Sequence, residues 1–166
     1  MLKKIILLAI IVIPMSALAQ KFGHINPMPI MEAMPEYTKA QTELQELQKQ
    51  YEGEMKIMQD ELAKKGQEYD KQKDSLPQNI RQRREGELQD LYKRLQQYAQ
   101  ESEMNLQKAS QDKMAEISRK ITTAIQEVGK SGGFIYIFDQ TAGIPFINET
   151  MSVDVSAQVK AKLGLK

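Results

Sequence analysis

The chain has 166 residues, of which 27% are charged, 41% hydrophobic and 6% aromatic, with one histidine and no cysteine. Its 23 Lys+Arg nearly balance 22 Asp+Glu, which argues against nucleic-acid binding, since that needs a basic surface. Disulfides are excluded, and so are metal sites built on Cys or His ligand sets.

The first nineteen residues read as a targeting device. Lys3 and Lys4 form a positive n-region, Ile5 to Ile13 an apolar run too short to span a bilayer, and Ala17-Leu18-Ala19 a small-x-small cleavage pattern. Residues 1–19 are therefore expected to be a signal peptide, with the mature chain beginning at Gln20 and exported to the periplasm or secreted. No cysteine follows the apolar run, so no lipoprotein anchor is expected there. Loss of Lys3 and Lys4 leaves 21 Lys+Arg against 22 Asp+Glu, a net charge of about −1.

Phe22-Gly23-His24-Ile25-Asn26 alternates weakly before Pro27 and predicts a short strand. Met28 to Met34 predicts a short helix, and Pro35 suits the first position of a long one, where its missing N–H costs nothing. An apolar stripe then runs through Tyr37, Ala40, Leu44, Leu47, Tyr51, Met55, Met58, Leu62, Gly66 and Tyr69, at the helical period. Gly53 and Gly66 weaken this helix by about 1 kcal/mol each relative to alanine. Leu76-Pro77 is expected to end it.

The second long helix is predicted from about Ile80 to Val128. Its stripe is Leu88, Leu91, Leu95, Tyr98, Ser102, Leu106, Ala109, Lys113, Ile117, Ile121, Ala124 and Val128. The mean step is about 3.64 residues, so a strict left-handed heptad seam is not encoded. Gly129, Gly132 and Gly133 are expected to stop the helix. Phe134-Ile135-Tyr136-Ile137-Phe138 predicts a strand buried on both faces. With Ile144-Pro145-Phe146-Ile147-Asn148 it predicts a β-hairpin turning at residues 139–143. Ser152 or Asp154 can cap a short final helix carrying Val155, Val159 and Leu163 on one face.

The fold class expected is α+β, mainly α: a long antiparallel helical hairpin on a small β body completed by oligomerisation. The hairpin occupies residues 35–128, with its turn near 75–79, and the body residues 20–34 and 129–166. Alone, the body is near the marginal size for independent folding. Phe134, Ile135, Ile137 and Phe138 would lie at an exposed edge in a monomer, which marks them as oligomerisation residues.

No catalytic signature accompanies this layout. His24 lacks a Gly-x-Ser-x-Gly, a His-Glu-x-x-His or a phosphate loop, so a structural or surface role is expected for it. No enzyme activity, cofactor or metal is expected. Residues 64–94 carry nine basic side chains against six acidic ones. This basic tip, including Arg81, Arg83 and Arg84, is a candidate contact for anionic lipid or lipopolysaccharide. The ten methionines suit either gap filling or an adaptable binding surface.

The signal peptide, Phe22 to Asn26, Met34-Pro35-Glu36-Tyr37 opening a long helix, the charged hairpin and the closing β-hairpin plus helix together resemble the OmpH/Skp family of periplasmic chaperones. The likeness covers essentially the whole mature chain. It implies a homotrimer in which three chains share one β body and three hairpins surround a cavity. That cavity would hold unfolded outer-membrane β-barrel proteins without ATP. The best-known members are strongly basic, whereas this mature chain is near neutral. Met55, Met58, Leu62, Tyr69, Leu91 and Tyr98, apolar and mid-hairpin, are the expected contributors to a diffuse client contact. The competing expectation is a periplasmic hairpin adaptor of an efflux or secretion system, a class that carries larger β domains on either side.

Overall fold

The computed structural model describes residues 20–165; the signal-peptide reading of residues 1–19 lies outside the described residues. Strand β1 (Lys21–Ile25) leads into a short helix α1 (Met28–Glu32) and then the long helix α2 (Pro35–Gln72). Helix α3 (Gln78–Gly132) is followed by strand β2 (Phe134–Asp139), a 3-10 turn at Gln140–Ala142, strand β3 (Ser152–Asp154) and helix α4 (Ser156–Lys162). The α+β, mainly helical class read from the sequence is the one observed.

Three local expectations need correction. Pro77 does not end the first helix. That helix stops at Gln72, and the Pro77 carbonyl instead opens α3 by accepting the Ile80 and Arg81 amides, both at 3.0 Å. Helix α3 also runs through Gly129 to Gly132. It ends at Gly133, whose φ of 66° is the left-handed conformation that closes helices and that glycine adopts without strain.

The third correction concerns the sheet. Its strand order is β2-β1-β3, and both pairings with β1 are parallel. The expected β-hairpin is absent. Residues 144–148 form no strand, and the strand that follows β2 begins only at Ser152. Pro145 withdraws a ladder donor from the middle of the anticipated run. The residues on either side are consumed in local turns: the Asp139 carboxylate accepts the Thr141 amide (2.7 Å), and the Asn148 side-chain oxygen accepts the Thr150 amide (3.0 Å). The 140–151 connection thus passes from one edge of the sheet to the other.

The chain forms two compact units, Met34–Ser118 and the segments up to Ala33 and from Arg119 onward. In the unit that holds the sheet, Ile25, Ile30, Val155 and Val159 are fully buried. Gly23 and Gly132 permit close approach there. A Cβ on Gly132 would lie 2.5 Å from Phe134 Cε2, and one on Gly23 would lie 3.1 Å from both Ile137 Cγ1 and Phe134 Cε1. Phe134 and Ile137 are therefore used within the chain. The Lys21 ammonium sits 4.1 Å from the centre of the Phe134 ring and also donates to the Gly132 carbonyl (3.2 Å).

The Met34–Ser118 unit is an antiparallel helical hairpin. Partners across it descend along α3 as they ascend along α2. Glu43 pairs with Lys113, the Tyr51 ring meets the Tyr98 ring edge to face at 6.2 Å, and the Tyr69 hydroxyl donates to Glu85. Every predicted stripe position in this unit is buried or half-buried. Gly53 and Gly66 do not interrupt α2.

Candidate functional site

His24 is buried and committed to structure. Its Nδ1 lies 2.9 Å from Ser152 Oγ, and its carbonyl accepts the Val155 amide at 3.0 Å. These contacts tie β1 to β3 and to the start of α4. Asp154, opposite His24 in the ladder, accepts the Ser156 amide at 2.8 Å. The hydrogen bonds from Ser156 hold its carboxyl below the ordinary aspartate range, with a smaller contribution from His24. Asp154 thus supplies the helix-start contact expected of Ser152 or Asp154, while Ser152 turns to His24. A histidine, a serine and an acid meet here, but each already serves as a packing partner. Among the described residues, no group of three or more His, Cys, Asp or Glu side chains is arranged to hold a metal.

Attention therefore turns to surfaces. Met55, Met58, Leu62, Tyr69, Leu91 and Tyr98 are all half-buried. All six sit on the stripe by which the two helices of the hairpin face each other, so much of their apolar area is already engaged. Tyr98 meets Tyr51, and Tyr69 is held by Glu85, which raises the Tyr69 hydroxyl above its ordinary value. The hairpin exposes other apolar side chains instead: Ile57 (63% exposed), Tyr92 (53%) and Met104 (60%). Sequence reasoning passed over these three. The available signal was that a large apolar residue off the stripe has no helix partner to bury it.

At the tip, Arg81, Arg83 and Arg84 are all exposed. Arg84 and Arg83 both reach Glu87, at 3.1 and 3.6 Å, so much of their charge is answered locally. The surplus positive charge counted from sequence is thereby spread among i,i+3 and i,i+4 pairs, which are individually weak at a solvated surface.

In the unit with the sheet, β2 has one used and one open side. The sequence led us to expect burial on both faces of this strand. Phe134 and Ile137 are half-buried, whereas Ile135, Tyr136 and Phe138 are exposed. A register shift between Lys21 and Phe22 in the pairing with β2 leaves Ile135 without a partner in the ladder and turns it outward. Tyr136 stacks between Phe22 (ring centres 6.4 Å apart) and Phe138 (5.9 Å). The 140–151 connection adds Phe146 (77% exposed) and Met151 (78%). Phe22, Phe138, Ile144, Phe146 and Met151 line an open apolar hollow beside this aromatic row. So much contiguous apolar surface on one small unit is the mark of an interaction face.

No helix among the described residues is long and apolar enough to cross a membrane. The family described as "Outer membrane protein (OmpH-like)" matches residues 21–163. Among solved structures, the chain is similar to a candidate outer membrane chaperone (OmpH-like) from Caulobacter crescentus CB15. The TM-score is 0.74 at 17% identity, over 87% of this chain and 83% of that one. No curated protein matches the chain.

Proposed function

The chain belongs to the OmpH-like family of outer membrane proteins, and from that premise we propose that it is a periplasmic chaperone that holds unfolded outer-membrane β-barrel proteins without ATP. The observation that carries this reading is the hairpin itself. Its 38-residue and 55-residue helices seal one thin seam and leave isolated apolar side chains exposed, an arrangement suited to many weak contacts. An unfolded barrel chain presents alternating apolar strands with unpaired edges, an aggregation hazard in water. Weak distributed contacts hold such a chain and still release it.

Assembly belongs to residues 20–34 and 129–166, and client holding to residues 35–128. The open aromatic row on β2 supports self-association, and three copies is the number that the family resemblance implies. Ile135 and Phe138 are the oligomerisation residues, joined by Tyr136, while Phe134 and Ile137 act by holding β2 in place. On the hairpin, Ile57, Tyr92 and Met104 join the six seam residues as client contacts. Arg81 is the foremost contact at the tip for an anionic lipid or lipopolysaccharide head group, because Arg83 and Arg84 share Glu87.

The test is dilution of a urea-unfolded outer-membrane barrel protein into buffer with and without the mature chain, with oligomeric mass measured by light scattering in the same buffer. Aggregation suppressed without nucleotide, by a species of three chains, is the expected result. A stable monomer at micromolar concentration, or no suppression, overturns the proposal.

A further inference from the structure

Ser102 stands on the α3 stripe between Tyr98 and Leu106, where the positions on either side carry large apolar side chains. It is only 6% exposed, and its hydroxyl has no hydrogen-bond partner. It underlies a hollow between the two helices of the hairpin, walled by Tyr51 and Met55 of α2 and by Ala99 and Leu106 of α3. Two carboxylates, Glu52 and Glu103, stand at the same hollow. The one amide there, Gln48, already donates to Glu52 at 2.7 Å.

We propose that this hollow is a discrete client subsite, which takes a tyrosine or tryptophan side chain of an unfolded polypeptide. The inference rests on the holdase reading and deepens it. The walls are apolar and aromatic, which suits a flat ring. The polar groups the hollow offers are carboxylates, which only accept, and a hydroxyl lacking a partner. A ring that ends in a donor, the phenol O–H or the indole N–H, donates to one of them, the Ser102 oxygen, and a phenylalanine ring has no donor to offer. A buried hydroxyl without a partner also makes the closed seam least favourable at this level. Met55, unbranched and pliant, can shift to admit a ring and to let it reach the hydroxyl. The ligand class agrees with the proposed clients, since membrane β-barrels carry girdles of aromatic residues at both interfaces.

The experiment titrates the isotope-labelled mature chain with N-acetyl-tyrosinamide, N-acetyl-tryptophanamide and N-acetyl-phenylalaninamide and follows amide shifts by NMR. The expected result is saturable shifts confined to residues near 48–55 and 99–106. Tyrosine and tryptophan probes should bind roughly three- to tenfold more tightly than phenylalanine, the scale of one hydrogen bond. Ser102→Ala should reduce that preference to parity. Ser102→Leu should abolish binding by filling the hollow. Ala99→Leu fills it from the preceding turn and gives the same answer if Ser102→Leu loses helicity. Equal binding of the three probes, no mid-hairpin shifts, or unchanged shifts in a helical filled variant overturns the subsite. The barrel-holding assay separates the two levels. Wild type failing to hold removes the holdase reading, whereas wild type that holds the barrel but shows no probe shifts near Ser102 removes the subsite alone.

Discussion

In the unit that contains the sheet, Ile25, Ile30, Val155 and Val159 are wholly closed off from solvent, whereas every stripe leucine of the hairpin stays half-buried. The residue types are alike, and the layers around them differ. A side chain in a sheet-and-helix unit is covered from several directions. One in a two-helix seam is covered from one, because nothing lies behind the partner helix. A stripe leucine is therefore worth less in the hairpin than these four, although Ile117 of the same unit is nearly as closed off as they are. The hairpin gains length and accessible surface for a given number of apolar residues, and the sheet unit gains rigidity.

The sharpest way to break this comparison is Ile30→Ala. Ile30 is fully buried, so its truncation should destabilise by about 2–5 kcal/mol through lost transfer energy and a cavity. Urea unfolding of the mature chain measures it. A loss under about 1 kcal/mol would mean that the sheet unit relaxes as freely as a seam. Gly132→Ala comes next. Its Cβ would meet Phe134 Cε2 at 2.5 Å, and that ring is held by Lys21 and by the close approach of Gly23. The expected cost is about 1–3 kcal/mol of overpacking, accompanied by a changed near-ultraviolet signal as β2 shifts.

The two regions also differ in how much of them the sequence revealed. The hairpin was legible almost residue by residue, because a single periodic stripe is a local property and one helix partner suffices to realise it. Stripe positions from Tyr37 to Tyr69 and from Leu88 to Ile117 are all withdrawn from solvent in the structure. The sheet unit was legible in content and misread in connection. Phe134 to Phe138 is a strand, as its composition suggested. Its partner was taken to be the adjacent apolar run, although the chain passes that run and pairs Ser152–Asp154 with β1 instead. Adjacency in sequence favours hairpins, but parallel pairing with a strand more than a hundred residues away leaves no local mark. The candidate site was misplaced for a related reason. The periodicity that identifies Met55 or Leu91 as apolar and mid-hairpin is the same periodicity that places each of them in the seam. Exposed Ile57, Tyr92 and Met104 carried the opposite signal by breaking the pattern.

Within the hairpin, Leu95→Ala should cost about 1–2 kcal/mol, less than Ile30→Ala, because only part of the side chain is removed from water. The measurement is the same urea midpoint. A loss as large as that of Ile30→Ala would show that another chain covers the seam in the assembled protein. Gly53→Ala should act in the other direction. A Cβ at this position meets nothing within 4 Å, and the residue lies in the interior of α2. Removing the glycine should therefore stabilise the hairpin by about 0.5–1 kcal/mol. If stability fell instead, a contact with another chain at Gly53 would account for it, and the loss would then depend on protein concentration.

The smallest effect expected is also the most specific to the seam. Lys113 occupies a stripe position where apolar residues dominate, and its ammonium pairs with Glu43 across the hairpin. The hydrogen bond and charge of Lys113, assisted by Lys39, lower the Glu43 carboxyl from its ordinary value of 4.5. A carboxylate whose folded value is depressed contributes stability that is complete above its unfolded value. That contribution is lost as pH falls through the folded one. The contribution of Glu43 should therefore fade only below about pH 4.5, down to its depressed folded value. In Lys113→Met the principal cause of the depression is gone, so Glu43 returns toward its ordinary value and the gap between urea midpoints at about pH 7 and about pH 3.5 should narrow. At neutral pH the variant should lose little, because Glu43 is solvated and a methionine extends the apolar stripe. The fold itself should persist in Glu43→Gln/Lys113→Met, since the pair is removed whole and no unpaired charge is left in the seam at either position. An unchanged pH gap in Lys113→Met would mean that the pair forms no lasting contact in solution. A large loss at neutral pH would instead give the pair a role in fixing the register of the two helices, as polar seam residues do in coiled coils.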